Sequence, residues 1–94
     1  MKIKDEEINL KITPKAIQKV EELHKDFDAL KLIREAIEGE NEPKASDYYK
    51  VIYAGYIGAT NNDTKYDEFL DLIEDYDLYD ISRIGVELLA KRKN

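Results

Sequence analysis

The sequence predicts a mainly α fold of the α+β kind: a short N-terminal β-hairpin followed by a bundle of about five helices. Three observations predict it. Apolar residues recur at helical spacing in successive segments from Thr13 onward. Capping residues and breakers punctuate those segments at Thr13-Pro14, Asp28, Gly39, Pro43 and Asn61-Asn62-Asp63. Period-two alternation is confined to the first twelve residues. The 94 residues read as one domain, with 1–12 as the hairpin and 13–92 as the helical bundle.

In the opening segment Ile3, then Ile8, Leu10 and Ile12, face one way, with Lys and Asn facing the other. This spacing predicts two short strands turning near Asp5-Glu6-Glu7. Thr13-Pro14 is a strong helix start, a hydroxyl at the N-cap and proline at the first helical position. Ala16, Ile17, Val20, Leu23 and Phe27 then form an apolar stripe roughly 120° wide. Asp28 caps a second helix, with Leu30, Ile33 and Ile37 on one face and Gly39 at its end. A polar loop with Pro43 as breaker follows, over residues 39–44.

Ser46 is the expected cap of the most unusual segment, 47–59. With Tyr48 at 0°, Ile52, Tyr56, Tyr49, Tyr53 and Ile57 run from about 40° to 180°, and Val51 lies at about 300°. A helix this apolar is either the centre of the bundle or one with an exposed adhesive edge. Thr64 with Asp67 resembles a capping box for a helix burying Tyr66, Phe69, Leu70, Ile73 and Tyr76. Residues 61–80 hold eight acids and one lysine, a local charge of -7. The final helix, from near Asp77, buries Leu78, Ile81, Ile84, Gly85, Leu88 and Leu89, and carries a second apolar line of Tyr79, Val86 and Ala90. Lys91-Arg92-Lys93 is placed in its last turn, where positive charge suits the helix dipole. Ile17, Val20, Leu23, Ile33, Ile52, Phe69, Ile73, Ile84 and Leu88 are the expected core.

The composition restricts function. A net charge of -6 argues against nucleic acid, whose phosphates draw on clustered Lys and Arg. The chain has no cysteine, hence no disulfide framework or thiolate chemistry. No apolar run is long enough to span a membrane, and Met1-Lys2-Ile3-Lys4-Asp5-Glu6-Glu7 has no apolar signal-peptide core. The expectation is a cytoplasmic protein.

The sequence suggests no enzyme, metal or cofactor. His24 is the single histidine and reads as a structural residue at the edge of the first apolar stripe. Asn61-Asn62-Asp63-Thr64 lacks the central glycine of a calcium loop. Asp63, Asp67, Asp71 and Asp75 recur every four residues, as a solvated helix face does. Gly55-Tyr56-Ile57-Gly58 has neither the preceding strand nor the lysine of a phosphate-binding loop. What remains is protein binding. The candidate contact residues are Tyr48, Tyr53, Tyr56, Tyr79 and Val86, surplus to one packed face, with Asp67, Asp71, Glu74 and Asp75 as an acidic rim.

Several stretches resemble the tail assembly chaperones of long-tailed siphophages. They are the strand Met-Lys-Ile-Lys, the stretch Ile8-Asn9-Leu10-Lys11-Ile12 leading into Thr13-Pro14-Lys15-Ala16-Ile17, and a first helix reaching Glu21-Glu22-Leu23. The acidic stretch from Thr64 and the closing helix over 79–90 are similar as well. The chain departs from that pattern at Asp5-Glu6-Glu7, where a glycine-containing turn is expected, and in its tyrosine-rich central helix. The resemblance implies a chaperone, encoded by a virus or prophage and acting in the host cytoplasm. It would bind the tape measure protein and keep it soluble while the tail assembles. The other reading of the residues is an acidic inhibitor or antitoxin-like protein that blocks a basic surface of its partner. Self-association is left open by the sequence.

Overall fold

The structure, a computed structural model, describes residues 1–39 and 43–90, the side chain of Ile37 excepted. Residues 40–42 of the expected polar loop, the basic cluster Lys91-Arg92-Lys93 and the inward placing of Ile37 lie outside what is described.

Strand β1 (Lys2–Ile3) pairs antiparallel with β2 (Glu6–Glu7), Lys2 opposite Glu7 and Ile3 opposite Glu6. The turn is Lys4-Asp5, one step earlier than expected, with φ of 52° and 63°. Positive φ at both central residues is what a two-residue hairpin loop demands, because only that twist matches the strands. The expected second strand over 8–12 is not a strand. Past β2, Ile8 N–H donates to the Met1 carbonyl, and Lys11 N–H donates to the carbonyl of Gly55. Ile8, Leu10 and Ile12 then pack half-buried against the core. The alternation was real, but it is satisfied by a helix and not by a strand partner.

Helix α1 (Pro14–Leu23) starts as predicted, with Thr13 Oγ1 accepting from Ala16 N–H at 3.1 Å. It stops at Leu23, because His24 is extended. The stripe extrapolated to Phe27 therefore ends early: Leu23 is 56% exposed, while Phe27 is buried from the following turn. Asp28 caps α2 (Ala29–Glu38) through Lys31 N–H, and Gly39 ends it at φ 70°. The inner face of α2 is Ala29, Leu32, Ile33 and Ala36, and Leu30 is 69% exposed. Both faces have helical spacing, so periodicity alone could not choose between them.

Helix α3 (Ala45–Thr60) is the centre of the bundle, and every residue from Lys50 to Ile57 is buried. It packs chiefly between α1 and α5 (Leu78–Ala90), with α4 (Tyr66–Leu72) across one end. Its cap is Lys44 and not Ser46: the carboxylate of Asp47 reaches back to Lys44 N–H at 3.0 Å. The cap of α4 is likewise Lys65 in place of Thr64, with Glu68 accepting from Lys65 N–H at 3.1 Å. In both helices a carboxylate at the third helical position accepts from the cap residue's own N–H, the half of a capping box that needs no hydroxyl, and it also suits the positive end of the helix dipole.

Helix α4 has only seven residues, so Ile73 and Tyr76 reach the core from the turn beyond it. The Tyr76 hydroxyl accepts from Lys2 N–H and donates to the Lys2 carbonyl, tying this turn to the hairpin. Asp77 caps α5 by accepting from Asp80 N–H at 2.8 Å. Buried positions begin at Ile81, so Leu78 in the first turn is 61% exposed and does not join the core. Val20, Ile52, Phe69, Ile73 and Leu88 are buried as expected, and Ile17, Ile33 and Ile84 are partly buried against them. The radius of gyration is 12.3 Å, near the roughly 12 Å of a compact chain of this length.

Candidate protein-binding face

The central tyrosines face inward. Tyr53 has no exposed surface, and its ring meets Tyr66 edge-on at 5.3 Å and Phe69 at 5.4 Å. Its hydroxyl donates to the carbonyl of Thr64 at 2.6 Å. Tyr56 is buried on Phe69, and its hydroxyl accepts from Asn62 Nδ2 at 3.1 Å. Asn62 Oδ1 in turn accepts from Thr64 N–H. A buried phenol must find a partner for its hydroxyl, and here the two phenols organise the loop between α3 and α4. Tyr48 is half-buried with its ring against Gly85 of α5, where any Cβ would collide with it. Tyr53 and Tyr56 are thus core residues and are withdrawn from the candidate surface, and Tyr48 contributes only an edge.

Tyr79 and Val86 do lie outside. They are 73% and 46% exposed on the outer face of α5, seven residues apart and therefore two turns apart on one side. Ala90, also exposed, continues the line. Arg83 would be expected to cover it with its aliphatic stem. Both of its ion pairs draw the guanidinium elsewhere: to Asp80 at 3.7 Å and to Glu87 at 3.5 Å. Those two acids share one flank of the helix, about 80–100° from Tyr79 at 100° per residue. Arg83 is therefore held to that flank, and the apolar line stays open.

Asp67, Asp71, Glu74 and Asp75 are all exposed. They do not form one row on one helix. Asp67 and Asp71 belong to α4, whereas Glu74 and Asp75 sit in the turn that follows it. Among the described residues none of the four enters an ion pair. The acidic rim is therefore a ridge along α4 and its turn, leading to the start of α5.

His24 packs edge-on against Tyr66, ring centroids 4.6 Å apart. Its Nε2 is enclosed without a hydrogen-bond partner among the described residues. Burial chiefly, and then Lys50, push its pKa below 6.5, opposed by Asp26 and Asp67. Burial also raises Tyr66 to about 12 and lifts Tyr53, so both remain phenols at neutral pH. Lys50 lies buried along α3, with its ammonium 3.5 Å from Asp26.

One further apolar feature was not expected from the sequence, where Leu30 shares a face with Ile33 and Ile37. A groove of about 340 Å³ between α1, α2 and α5 is lined by Ile12, Pro14, Ile17, Leu30, Ile33 and Leu89, among others. Its sequence signal was the competing face of α2. Among the described residues no group of His, Asp and Glu is arranged to hold a metal, and no helix is long and apolar enough to cross a membrane. No family model, curated protein or solved structure matches the chain.

Proposed function

We propose that this chain is a protein-binding adaptor that acts as a phage tail assembly chaperone, holding the helical tape measure protein in soluble form before the tail tube closes around it. The observation that carries the reading is the open apolar line of Tyr79 and Val86 on α5, preceded in the chain by an exposed acidic ridge without ion pairs among the described residues. Exposed apolar side chains in line on a small acidic protein serve a partner better than they serve the folded chain. The unpaired acids favour solubility of the complex and repel other copies of the same ridge. The resemblance of the opening strand, the Thr13-Pro14 helix start and the closing helix to siphophage chaperones supplies the identity of the partner.

The test is co-expression with a tape measure fragment. The fragment is expected in the soluble fraction and co-purifying with this chain, and to aggregate without it. A fragment that stays insoluble in its presence would sink the reading.

The exposed carboxylates of Asp67, Asp71, Glu74 and Asp75, without ion pairs among the described residues, favour a second reading, an acidic inhibitor that occupies a cationic surface. Binding lost on charge reversal of the ridge, yet indifferent to Val86→Asp, would select it.

A further inference from the structure

We infer that the outer face of α5 receives an amphipathic helix of the partner, its apolar edge laid along Tyr79 and Val86 and its lysine- or arginine-rich end against the acids of the α4–α5 turn. This rests on the protein-binding reading above and specifies the chemistry of the bound segment.

Spacing supplies the first argument. Tyr79 and Val86 are seven residues apart, roughly 10.5 Å along the helix axis. A second helix with apolar residues at heptad spacing presents side chains at the same interval.

Charge supplies the second argument and gives the bound helix its polarity. Along α5 itself Arg83 is matched by Asp80 and Glu87, which leaves one uncompensated negative charge over that stretch. In the turn that leads into its N-terminal end Glu74 and Asp75 are exposed and without ion pairs among the described residues, as is Asp71 on α4 before them. The face thus carries Tyr79 and Val86 two turns apart, and the chain enters it from a turn that holds two exposed acids, Glu74 and Asp75. A partner helix with a basic end is attracted there, and the same helix reversed, or an acidic one, is not.

Three synthetic helical peptides of roughly 20 residues, about 30 Å long, test this by fluorescence anisotropy. One carries leucines at heptad positions and a block of lysines at one end. A second has glutamates in place of those lysines, and a third has serines in place of the leucines. At about 50 mM salt the lysine–leucine peptide should bind at least about tenfold more tightly than either control, and its advantage over the glutamate peptide should shrink at about 300 mM. Val86→Asp should weaken the lysine–leucine peptide about tenfold or more. The pair Glu74→Lys and Asp75→Lys should remove the preference for lysine over glutamate. Both sites are exposed, and thermal melts verify that the variants remain folded. Equal binding of the lysine and glutamate peptides would overturn the inference, as would indifference to Val86→Asp or equal binding of the serine peptide. Sedimentation as a dimer that Val86→Asp dissociates would also overturn it, by assigning the face to a second copy. Were Val86→Asp protein still to keep the tape measure fragment soluble, the chaperone reading would stand and this face would fall. Were that fragment ignored while the lysine–leucine peptide bound through Val86, the face would stand with a different partner.

Discussion

The carbonyl oxygen of Lys11 lies directly against the α-carbon of Gly58 in the last turn of α3, so that a Cβ at this position would overlap it. Backbone meets backbone there, and neither side can rotate away. Gly58→Ala gains up to about 1 kcal/mol of helix propensity but must displace the strap of residues 8–12, at about 1–3 kcal/mol or more. The clash should win, with a lower urea midpoint as the readout. Gly39→Ala meets no neighbouring atom among the described residues, where its left-handed φ of 70° is what resists the change, so its loss should stay near 1 kcal/mol.

Burial of Tyr53 gives a second expectation. Tyr53→Phe keeps the ring contacts with Tyr66 and Phe69 but leaves the Thr64 carbonyl without its donor. The cost should be about 1–2 kcal/mol. Phe69→Ala empties the centre of the core and should cost about 3–5 kcal/mol. Chemical denaturation of the two variants orders them, and a larger loss for Tyr53→Phe would show that the ring cluster is misassigned.

His24 sets a pH dependence whose direction follows from its surroundings. Its folded pKa lies below the ordinary 6.5, chiefly through burial beside Tyr66, with the Lys50 ammonium adding to it and Asp26 and Asp67 opposing it. The unfolded chain therefore takes up this proton first as pH falls. The stability associated with a neutral His24 is present above about 6.5 and is lost between that pH and the lower folded pKa. His24→Gln should flatten the melting temperature across that interval and leave partner binding at neutral pH unchanged. An equally steep fall in the variant would assign the dependence to other groups.

Much of this was legible in the sequence, for identifiable reasons. Thr13-Pro14, Asp28 and Gly39 mark helix ends through local backbone chemistry, and the structure places all three where they were read. Periodicity found the helices but could not rank two faces of α2, because Leu30 and Leu32 are equal in size and hydrophobicity. It also ran α1 on to Phe27, since a buried side chain reached from a turn has the same spacing as one on a helix. For the binding face, the surplus of tyrosines in α3 pointed outward only on the assumption of a one-sided helix. With α1, α4 and α5 packed around it, the surplus is core. Tyr79 and Val86 survive because their positions on α5 are exposed, and nothing among the described residues covers this second apolar line.

That difference separates stability from binding in a way mutation can read. Tyr79 and Val86 are exposed, so Tyr79→Ser and Val86→Asp remove little area that folding itself buries. Surface changes of this kind usually lie within about 0.5 kcal/mol of neutral, and the melting temperature should hardly move. Tyr53→Ala instead opens a cavity beside Phe69 and leaves the Thr64 carbonyl unpaired, at about 3–5 kcal/mol. On the binding side the order reverses. Val86→Asp places a charge in the middle of the apolar line and should speed dissociation of the tape measure fragment about tenfold or more. Asp71→Lys, out on the ridge, should slow association and reduce its salt dependence with a smaller change in dissociation. Tyr53→Ala affects binding only in proportion to the protein it unfolds, so titrating against the folded fraction should restore wild-type affinity. Measured together by surface plasmon resonance and thermal melts, Val86→Asp, Asp71→Lys and Tyr53→Ala give three distinct combinations. Should Tyr53→Ala lose binding while remaining folded, the partner would have to reach the interior of α3. The binding face would then be a cleft that opens, and not the standing surface of α5.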